Sequence, residues 1–344
     1  MEGEVLTEVR EAHRLDERAL GQYLANHIEG FSADLRIQQF EGGQSNPTFL
    51  IHSGGRKYVM RKKPPGKLLA TAHMVEREYR IMTALGKSDV PVPRTLLLCE
   101  DSEVIGTPFF VMEFAQGRIF RDTTLPDMDA ARRRGIYFEM CRVLAALHAL
   151  DPAQLGLADY GKPGNYFGRQ IQRWTRQYRD AETDRLESMD ALIEWLPANM
   201  PEDDSNGIVH GDFLLPNMIF HPEEDRVIAV LDWELSTLGH PLADLAYNCM
   251  PYHYSRTNVA LSALTATGIP SEADYVAHYC KLTGRDEITN WNFYLAFSFF
   301  RYGSIIQGVY KRGLQGNASS QTATELGAFV RSVGDIGWGL VASS

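Results

Sequence analysis

Two stretches of this chain run from apolar, strand-forming residues directly into a carboxylate. The first is IVHGDFLLPN, residues 208–217, in which Asp212 and Asn217 follow two β-branched residues. The second is VIAVLDWE, in which Asp232 ends a run of five apolar residues. A carboxylate at the end of an apolar strand is costly unless a cation meets it. The chain is therefore expected to fold with two short buried strands that bring these polar residues together.

The length and composition are those of a folded protein with more than one domain. The chain has 344 residues, enough for two domains, because single hydrophobic cores stop growing near about 250 to 300 residues. It is 44% hydrophobic and 23% charged, which is ordinary for a soluble protein. The net charge of −10 argues against nucleic acid as the main partner. Positive charge is concentrated locally at Arg61–Lys67, which favours a small anionic ligand.

The sequence predicts neither a secretory signal nor a membrane span. The amino terminus, MEGEVLTEVR, contains acidic residues and no apolar core. The longest uncharged apolar run, near Phe293–Phe300, stops at Arg301 and is shorter than the ~20 residues that span a bilayer. The four cysteines form no C-x-x-C pair, which favours reduced thiols. We therefore expect a soluble, cytoplasmic protein with no membrane partner, and the sequence does not indicate its oligomeric state.

The first part of the chain has the pattern of an antiparallel sheet with one main helix. Asp16 is an N-cap candidate for a first helix, and the main helix is predicted over residues 72–85, with Gly86 at its C-cap. Strands are predicted over residues 35–40, 48–52, 57–61, 94–99 and 108–114. The SGG turn between the second and third strands indicates a hairpin.

Beyond Gly117 the pattern becomes mostly helical. Helices are predicted over residues 127–150, 165–180 and 189–199 and after Pro241. Strand signal is confined to Gly207–His210, Met218–Phe220 and Val227–Leu231, and the last two form a predicted hairpin. We therefore predict a two-lobed α+β fold, with lobes over residues 1–114 and 115–344 and a hinge near 113–118. A small ligand is expected in the cleft that such a hinge leaves.

The order of Asp212, Asn217 and Asp232 suits phosphoryl transfer from a nucleotide. Magnesium takes hard oxygen ligands, commonly one or two carboxylates together with phosphate oxygens, and Asn217 and Asp232 supply such oxygens. Asp212 is then available to accept the proton of an attacking hydroxyl or to orient it. The order D-x-x-x-x-N followed by a strand-terminal Asp matches the kinase pattern. The sequence predicts a magnesium- and ATP-dependent kinase acting on a hydroxylated small molecule, and GTP remains an alternative donor.

The turn EGGQSN in the first part of the chain is a candidate phosphate-binding loop. Backbone N–H groups of Gly42, Gly43, Ser45 and Asn46 would lie over the phosphates. The turn lacks the full G-x-G-x-x-G pattern, and a turn of this composition is more often a simple hairpin connection. The loop is therefore a hypothesis that depends on the other kinase residues.

Arg61 ends the strand KYVMR and is a candidate phosphate contact if a carboxylate on the following helix orients it. Glu78 is the expected partner, and Glu76 is the less favoured alternative. Lys62 or Lys63 makes the contact instead if the strand register is shifted, although Lys62 faces the other side of the sheet. The alternative interpretation is that all these charges lie on solvated faces.

The motifs VHGDFLLPN, VIAVLDWE and HPLADLAY together resemble the aminoglycoside phosphotransferase family, which has a protein-kinase-like fold. The resemblance extends over residues 35–310. Within this family, the sequence looks most similar to the kinase-like domain of acyl-CoA dehydrogenase family members ten and eleven and to freestanding bacterial relatives. The resemblance implies a two-lobed protein-kinase-like fold that uses ATP and Mg²⁺.

The resemblance also implies a role for each matching residue. Asp212 would be the catalytic aspartate, Asn217 and Asp232 the magnesium ligands, and His210 a structural residue of the catalytic loop. Arg61, paired with Glu78, would take the place of the phosphate-contacting lysine. The backbone of Glu113 and Ala115 would bind adenine, and Asp244 would brace the catalytic loop.

The chain departs from the protein-kinase pattern in three ways. Gly211 stands where protein kinases have Arg before the catalytic Asp, and Trp233 and Glu234 replace the Phe-Gly pair after the second Asp. We therefore expect an enzyme that needs no activating phosphorylation. Arg61 replaces lysine, which conserves the charge but not the geometry of the phosphate contact.

The identity of the acceptor stays open at this level. A hydroxyacyl-CoA is the first expectation from the resemblance, and aminoglycosides, choline and homoserine are alternatives. An apolar wall around Tyr166, Phe167, Trp174 and Tyr178 would suit an acyl chain, whereas an aminoglycoside would need a wall rich in carboxylates. The aromatic run from Trp291 is more consistent with core than with a pocket.

Two other classes of protein remain as alternatives. One is a metallohydrolase built on His210, Asp212 and the nearby His221 and His240, although Pro follows both of these last histidines, as in turns. The other is a catalytically silent nucleotide-binding scaffold, although such proteins usually lose one of the residues that are all retained here.

Overall fold

The structure is a computed structural model that describes residues 5–41, 46–64, 74–254, 259–314 and 326–342. The chain divides into two compact units. The amino-terminal unit contains Met1–Arg121 and Leu215–Leu235, and the carboxyl-terminal unit contains Asp122–Leu214 and Ser236–Ser344. The 215–235 segment thus belongs to the amino-terminal unit, while the division into two functional lobes with a hinge at residues 113–118 stays a prediction.

The amino-terminal unit is built on an antiparallel sheet with strand order β1-β2-β3-β4-β6-β5. Its strands are β1 Leu6–Thr7, β2 Leu35–Phe40, β3 Thr48–Ser53, β4 Arg56–Lys62, β5 Thr95–Cys99 and β6 Phe109–Glu113. Gly54 and Gly55 both have positive φ, which explains why the β3–β4 turn requires the SGG sequence. Strand β1 was not predicted, because two residues are too short to show a periodic pattern.

Two helices accompany this sheet. Helix α1, Glu17–His27, begins where Asp16 accepts a hydrogen bond from the Ala19 N–H, as the sequence predicts. Helix α2, Val75–Leu85, matches the described part of the predicted main helix, and residues 72 and 73 lie outside the described chain. Gly86 caps α2 in a right-handed conformation and not in the left-handed one typical of a C-cap glycine.

The alternation of side chains along β4 decides which charges face α2. Met60 belongs to the same buried core cluster as Leu20 and Leu24 of α1 and as Phe49 of β3. Arg61, one residue later, lies on the opposite face, where it contacts α2. Lys62 returns to the first face, with its ammonium 5.8 Å from the centre of the Phe49 ring. The expectation that Lys62 faces away from Arg61 is therefore confirmed.

The 215–235 segment forms the predicted hairpin. A short 3₁₀ helix, Leu215–Asn217, leads into β8, Met218–Phe220, which pairs antiparallel with β9, Val227–Val230. The Leu231 N–H donates to the Asn217 carbonyl at 2.8 Å, which extends the pairing by one step at the open end of the hairpin. A second 3₁₀ helix, Trp233–Leu235, follows β9.

The carboxyl-terminal unit is mostly helical, as predicted. Its helices are α3 Ala130–His148, α4 Tyr166–Ala181, α5 Glu187–Ala198, α6 Pro241–Cys249, α7 Glu272–Thr283, α8 Trp291–Leu314 and α9 Leu326–Gly339. Helix α3 starts later than predicted because Asp129 caps it by accepting from the Arg132 N–H. Helix α8 is buried along most of Phe293–Gln307, so its aromatic residues contribute mainly to the core.

A two-stranded sheet precedes the loop of the IVHGDFLLPN motif. Strand β7, Gly207–Val209, pairs antiparallel with β10, Thr237–Gly239. The prediction that this part of the chain contains only three strands was wrong, because it missed β10. Its three residues, Thr-Leu-Gly, show no periodic pattern, and they are extended because they pair with β7. Gly239 packs so closely against Tyr166 that an added Cβ would lie 2.5 Å from the Tyr166 ring.

In the described part of the chain, no helix is both long enough and apolar enough to cross a bilayer.

Candidate active site

The loop that carries Asp212 is held through its backbone by a buried carboxylate. Asp244, in the first turn of α6, accepts hydrogen bonds from the His210 N–H at 2.5 Å and the Gly211 N–H at 2.8 Å. The Asp212 N–H donates to Nδ1 of His210 at 3.1 Å. Gly211 has φ +85°, a conformation that favours glycine. This geometry is what the proposed bracing roles of His210 and Asp244 require.

The charge of Asp244 is stabilised within the protein. Burial raises the pKa of this carboxyl, but His148 and the Gly211 N–H lower it more, so that the net pKa lies below its ordinary value. Nε2 of His148 is 3.6 Å from Oδ2 of Asp244, and its Nδ1 is 2.7 Å from the Tyr279 hydroxyl. Asp244 therefore remains an acceptor for the loop at neutral pH.

Three further residues contact the Asp212 loop, and sequence reasoning assigned none of them to the site. Arg301 donates from Nη2 to the Gly211 carbonyl at 2.5 Å, and Asn248 donates to the Phe213 carbonyl at 2.9 Å. Burial raises the pKa of Tyr247 well above its ordinary value, and the charge of Asp212 and a hydrogen bond with it add to this. A signal was present: Tyr247 and Asn248 follow Asp244 by three and four residues, which places them on the same helix face.

In the amino-terminal unit, Arg61 joins two carboxylates. Its Nη1 is 3.1 Å from Oε2 of Glu78, and its Nη2 is 3.4 Å from Oδ1 of Asp232. The other Glu78 oxygen accepts a 2.7 Å hydrogen bond from Nδ2 of Asn46. The Arg61–Glu78 ion pair expected from the sequence is therefore present. Glu76, the alternative partner, is paired with Lys63 at 2.9 Å.

Burial sets the electrostatics of this cluster. Burial raises the pKa of Glu78 to about 7, Arg61 opposes the rise, and the charges of Asp232 and Glu234 increase it. Burial lowers the pKa of Arg61, but the neighbouring carboxylates raise it more, so the guanidinium stays charged. The ion pair with Glu78 holds the Arg61 guanidinium in a fixed orientation, as a phosphate contact requires.

Asn217 and Asp232 project from adjacent positions at the open end of the β8–β9 hairpin. The hydrogen bond from the Leu231 N–H to the Asn217 carbonyl holds the backbone of Asn217 close to that of Asp232, because Asp232 follows Leu231 directly. Asp232 has φ +65°, a strained conformation for a non-glycine residue that costs about 1–3 kcal/mol and is typical of functional sites. The buried Trp233 donates its indole N–H to the Val230 carbonyl at 3.0 Å, which anchors the segment after Asp232.

The donor set at this hairpin end fits magnesium. Asn217 and Asp232 offer hard oxygen ligands, and Mg²⁺ usually takes one or two such protein ligands and completes its shell with water and phosphate oxygens. Over the described ranges, no three His, Cys, Asp or Glu side chains are grouped as for a metal held by protein ligands alone. The fit is therefore to an ion that binds together with a nucleotide.

Among the other residues predicted to contact the nucleotide, Asn46, Glu113 and Ala115 lie in the described part of the chain. Gly42, Gly43 and Ser45 lie outside the described residues, whereas Asn46 is described and bonded to Glu78. The Glu113 N–H donates to the Arg94 carbonyl at 2.9 Å within the sheet, so an adenine contact by Glu113 would use its carbonyl group. Ala115 lies just past the end of β6. The adenine contacts stay predictions.

Nδ1 of His221 and Nδ1 of His240 accept hydrogen bonds from nearby backbone N–H groups, and Nε2 of His240 also lies 3.3 Å from Oδ2 of Asp203. Nδ1 of His221 accepts from the Glu223 and Glu224 N–H groups, as expected for a turn residue. His240 was also expected in a turn but is the buried N-cap of α6, where Nδ1 accepts from the Leu242 N–H at 3.2 Å.

Comparison with known proteins identifies close relatives. Residues 36–279, more than half of the chain, match the model of the phosphotransferase enzyme family, APH. Acyl-CoA dehydrogenase family member 10 from Mus musculus is 47% identical over 336 residues, covering 96% of this chain and 31% of that protein. Family member 11 from Homo sapiens is 45% identical over 341 residues, covering 96% of this chain and 44% of that protein. The chain thus spans less than half the length of these curated relatives.

Solved structures share the fold. A Ralstonia eutropha JMP134 protein, provisionally assigned as an aminoglycoside phosphotransferase, is 49% identical with a TM-score of 0.88, covering 96% of this chain and 99% of its own. A thermostable mutant of aminoglycoside phosphotransferase APH(4)-Ia, in ternary complex with ADP and hygromycin B, is 17% identical with a TM-score of 0.62, covering 95% of this chain and 100% of its own. The predicted α+β, protein-kinase-like fold and the family resemblance are confirmed.

Proposed function

We propose that this chain, which belongs to the phosphotransferase enzyme family, transfers the γ-phosphoryl group of ATP to a hydroxyl of a small molecule. The observation that carries the proposal is the anchoring of the Asp212 loop, whose backbone N–H groups are held by Asp244 and His210. A base or orienting group must keep its position through the reaction, because misplacement of a reactive group is costly in rate. The loop geometry meets this requirement for Asp212.

The proposed roles divide between the two units. In the amino-terminal unit, Arg61 would contact nucleotide phosphate under the control of Glu78, and Asn217 and Asp232 would hold magnesium. A bound magnesium ion supplies charge neutralisation of the phosphate oxygens. In the carboxyl-terminal unit, Asp212 would orient the acceptor hydroxyl and accept its proton, while Tyr247 and Arg301 keep the loop in place.

For the acceptor, we favour a hydroxyacyl-CoA. The support is the 45–47% identity to proteins named as acyl-CoA dehydrogenase family members, together with buried aromatic side chains at Tyr166, Phe167, Trp174 and Tyr178 of α4. An aminoglycoside kinase is the second candidate, because the 49% identical Ralstonia eutropha protein carries that provisional name. We favour ATP over GTP because APH(4)-Ia was crystallised with ADP.

Substitution of Asp212 tests the proposed catalytic role. We expect Asp212→Asn to lower kcat by about 10²- to 10⁴-fold, which is the contribution of a positioned acid–base group. Nucleotide affinity should stay nearly unchanged in this variant and should fall in Asp232→Ala, which removes a proposed magnesium ligand. The measurement is a magnesium-ATP turnover screen against hydroxylated acyl-CoAs, aminoglycosides, choline and homoserine.

Glu223→Gln, in the exposed turn between β8 and β9, is the control for this screen. It should leave turnover unchanged. Full activity of Asp212→Asn on the preferred acceptor would refute the role of Asp212, and nucleotide binding without turnover of any acceptor would favour the silent scaffold.

A further inference from the structure

Two arginines approach one tryptophan in the carboxyl-terminal unit. The guanidinium carbon of Arg173 lies 5.2 Å from the centre of the Trp174 ring, and that of Arg301 lies 5.7 Å from it. Arg301 also lies 4.8 Å from the centre of the Tyr247 ring. Arg173 is on the exposed side of α4, whereas Arg301 on α8 is only 7% exposed. We refer to Arg173, Trp174 and Arg301 as the arginine pair site.

Neither guanidinium of this site is ion-paired with a carboxylate of the described chain. A contrast lies on the same helix: Arg179 lies 5.8 Å from the Tyr178 ring, but it is also paired with Asp190 at 2.6 Å and Glu182 at 3.2 Å. Stacking on a neighbouring aromatic ring is thus common to Arg173 and Arg179. Of these two arginines, Arg173 is the one without a carboxylate partner among the described residues.

Two positive charges that share one aromatic ring repel each other. Desolvation lowers the pKa of Arg173, and the positive charge of Arg301 lowers it further. Burial raises the pKa of Tyr166 to about 12, against the opposing charges of Arg301 and Arg173. Ring contacts offset part of the cost, since a desolvated cation–π contact is worth about 2 kcal/mol. An anion that binds both guanidinium groups would reduce the repulsion.

The arginine pair site adjoins the Asp212 loop. Arg301 donates to the carbonyl of Gly211, and Tyr247, which contacts Arg301, hydrogen-bonds to Asp212. An anionic group held by Arg173 and Arg301 would therefore belong to the molecule whose hydroxyl Asp212 orients. Guanidinium groups bind carboxylate and phosphate through paired N–H donors, which suits recognition of an oxyanion.

We propose that Arg173 and Arg301 form a specificity site for a carboxylate or phosphate group of the acceptor substrate. The inference rests on the proposed function, and it narrows the acceptor to anionic molecules. Polycationic acceptors such as aminoglycosides would be repelled by the same pair. Arg301 also positions the catalytic loop, so Arg173 is the residue that tests anion recognition by itself.

Binding of anionic probes tests the site without turnover. Coenzyme A and octanoate are titrated by thermal shift into the full chain, with magnesium-ADP saturating the nucleotide site because coenzyme A itself contains an adenine nucleotide. Octanol is the neutral probe. We expect at least one anionic probe to bind, and Arg173→Gln to weaken its binding by about tenfold, as for loss of one charge-assisted hydrogen bond. Arg173→Lys should restore part of the affinity.

Arg179→Gln is the matched control, because it removes the same charge from the same helix beside the same kind of ring. It should change probe binding by less than twofold. The probe that binds more tightly identifies the anionic group that the site recognises. Tighter binding of coenzyme A indicates phosphate recognition, and tighter binding of octanoate indicates carboxylate recognition. Equal effects of the Arg173 and Arg179 substitutions, or binding of octanol as tight as that of the anions, would overturn the site.

Turnover separates this inference from the proposed function. With an acceptor found in the screen, Arg173→Gln should raise the acceptor KM about tenfold and leave the ATP KM unchanged. Turnover that is insensitive to Arg173 would reject the anion site and retain the kinase. Probe binding that depends on Arg173, without turnover of any acceptor, would retain the site and reject the kinase reaction.

Discussion

At the residue scale, Arg61 is both a buried charge that needs carboxylate partners and a proposed contact for the nucleotide phosphates. Its side chain is paired with the fully buried Glu78 and with the half-exposed Asp232. Removing one partner of a buried ion pair leaves an uncompensated charge, which costs far more than the pair contributes as a whole. Glu78 is therefore expected to matter both for stability and for nucleotide binding, although it touches no substrate itself.

We predict that Glu78→Gln lowers the free energy of unfolding by about 2 kcal/mol and raises the ATP KM, because the single oxygen of Gln accepts a hydrogen bond from Arg61 or from Asn46 but not from both. Glu76→Gln is the matched control on the same helix, because Glu76 also pairs with a cation at 2.9 Å but is 28% exposed. It should cost less than about 1 kcal/mol. Denaturant unfolding and ATP kinetics measure both effects, and similar results for the two variants would contradict the role given to Glu78.

At the scale of elements, helix α6 organises the Asp212 loop. Its first turn supplies Asp244, its third turn supplies Asn248, and all of its residues are buried. His240 and Pro241 fix where the helix starts, through the N-cap and the first helical position. The helix thus holds the loop as a rigid support, which a flexible loop could not provide for itself.

Asp244→Asn tests this support through its pH dependence. The pKa of Asp244 is lowered in the folded protein, so the carboxylate contributes stability that is present above its ordinary pKa of 3.8 and is lost as pH falls through the folded value. We expect the variant to lose about 2 kcal/mol at neutral pH and to show a flatter acid limb of stability than the parent chain. Denaturant unfolding between neutral and strongly acidic pH checks this. Asp286→Asn, at an exposed position, should leave the acid limb unchanged.

At the scale of the whole molecule, the chain has the fold of its family but departs from protein kinases at the positions that serve regulation. Gly211 occupies the place of the regulatory Arg, and Trp233 is buried and bonded to the Val230 carbonyl. An indole held in this way resists the flip that switches the corresponding segment of protein kinases. The catalytic segments are therefore expected to be in place without modification.

We accordingly predict that phosphatase treatment leaves kcat and KM unchanged within about twofold. The measurement compares turnover before and after treatment, with intact-mass analysis to establish the phosphorylation state. A strict requirement for a phosphorylated residue would contradict this expectation and would reopen a regulatory role for the segment after Asp232.

The sequence by itself determined most of the longer elements and the family. Strands over residues 35–40 and 218–220 were predicted with their observed bounds, because alternating or continuous apolar runs end there in turn residues. Asp212, Asn217 and Asp232 were singled out because these polar residues adjoin apolar strands in the order of the kinase pattern. Glu78 was expected as the partner of Arg61 because it lies on the helix that follows the strand, and strand periodicity placed Lys62 on the other face.

Only the tertiary structure decided which other residues support the site. Strand β10 is extended because it pairs with β7, and such pairing leaves no local pattern in three residues. Arg301 and Arg173 meet at Trp174 although they lie on α8 and α4, far apart in sequence. Local periodicity reports which face a residue occupies on its own element. The partner of that face depends on packing between elements, so the arginine pair site became visible only in the folded chain.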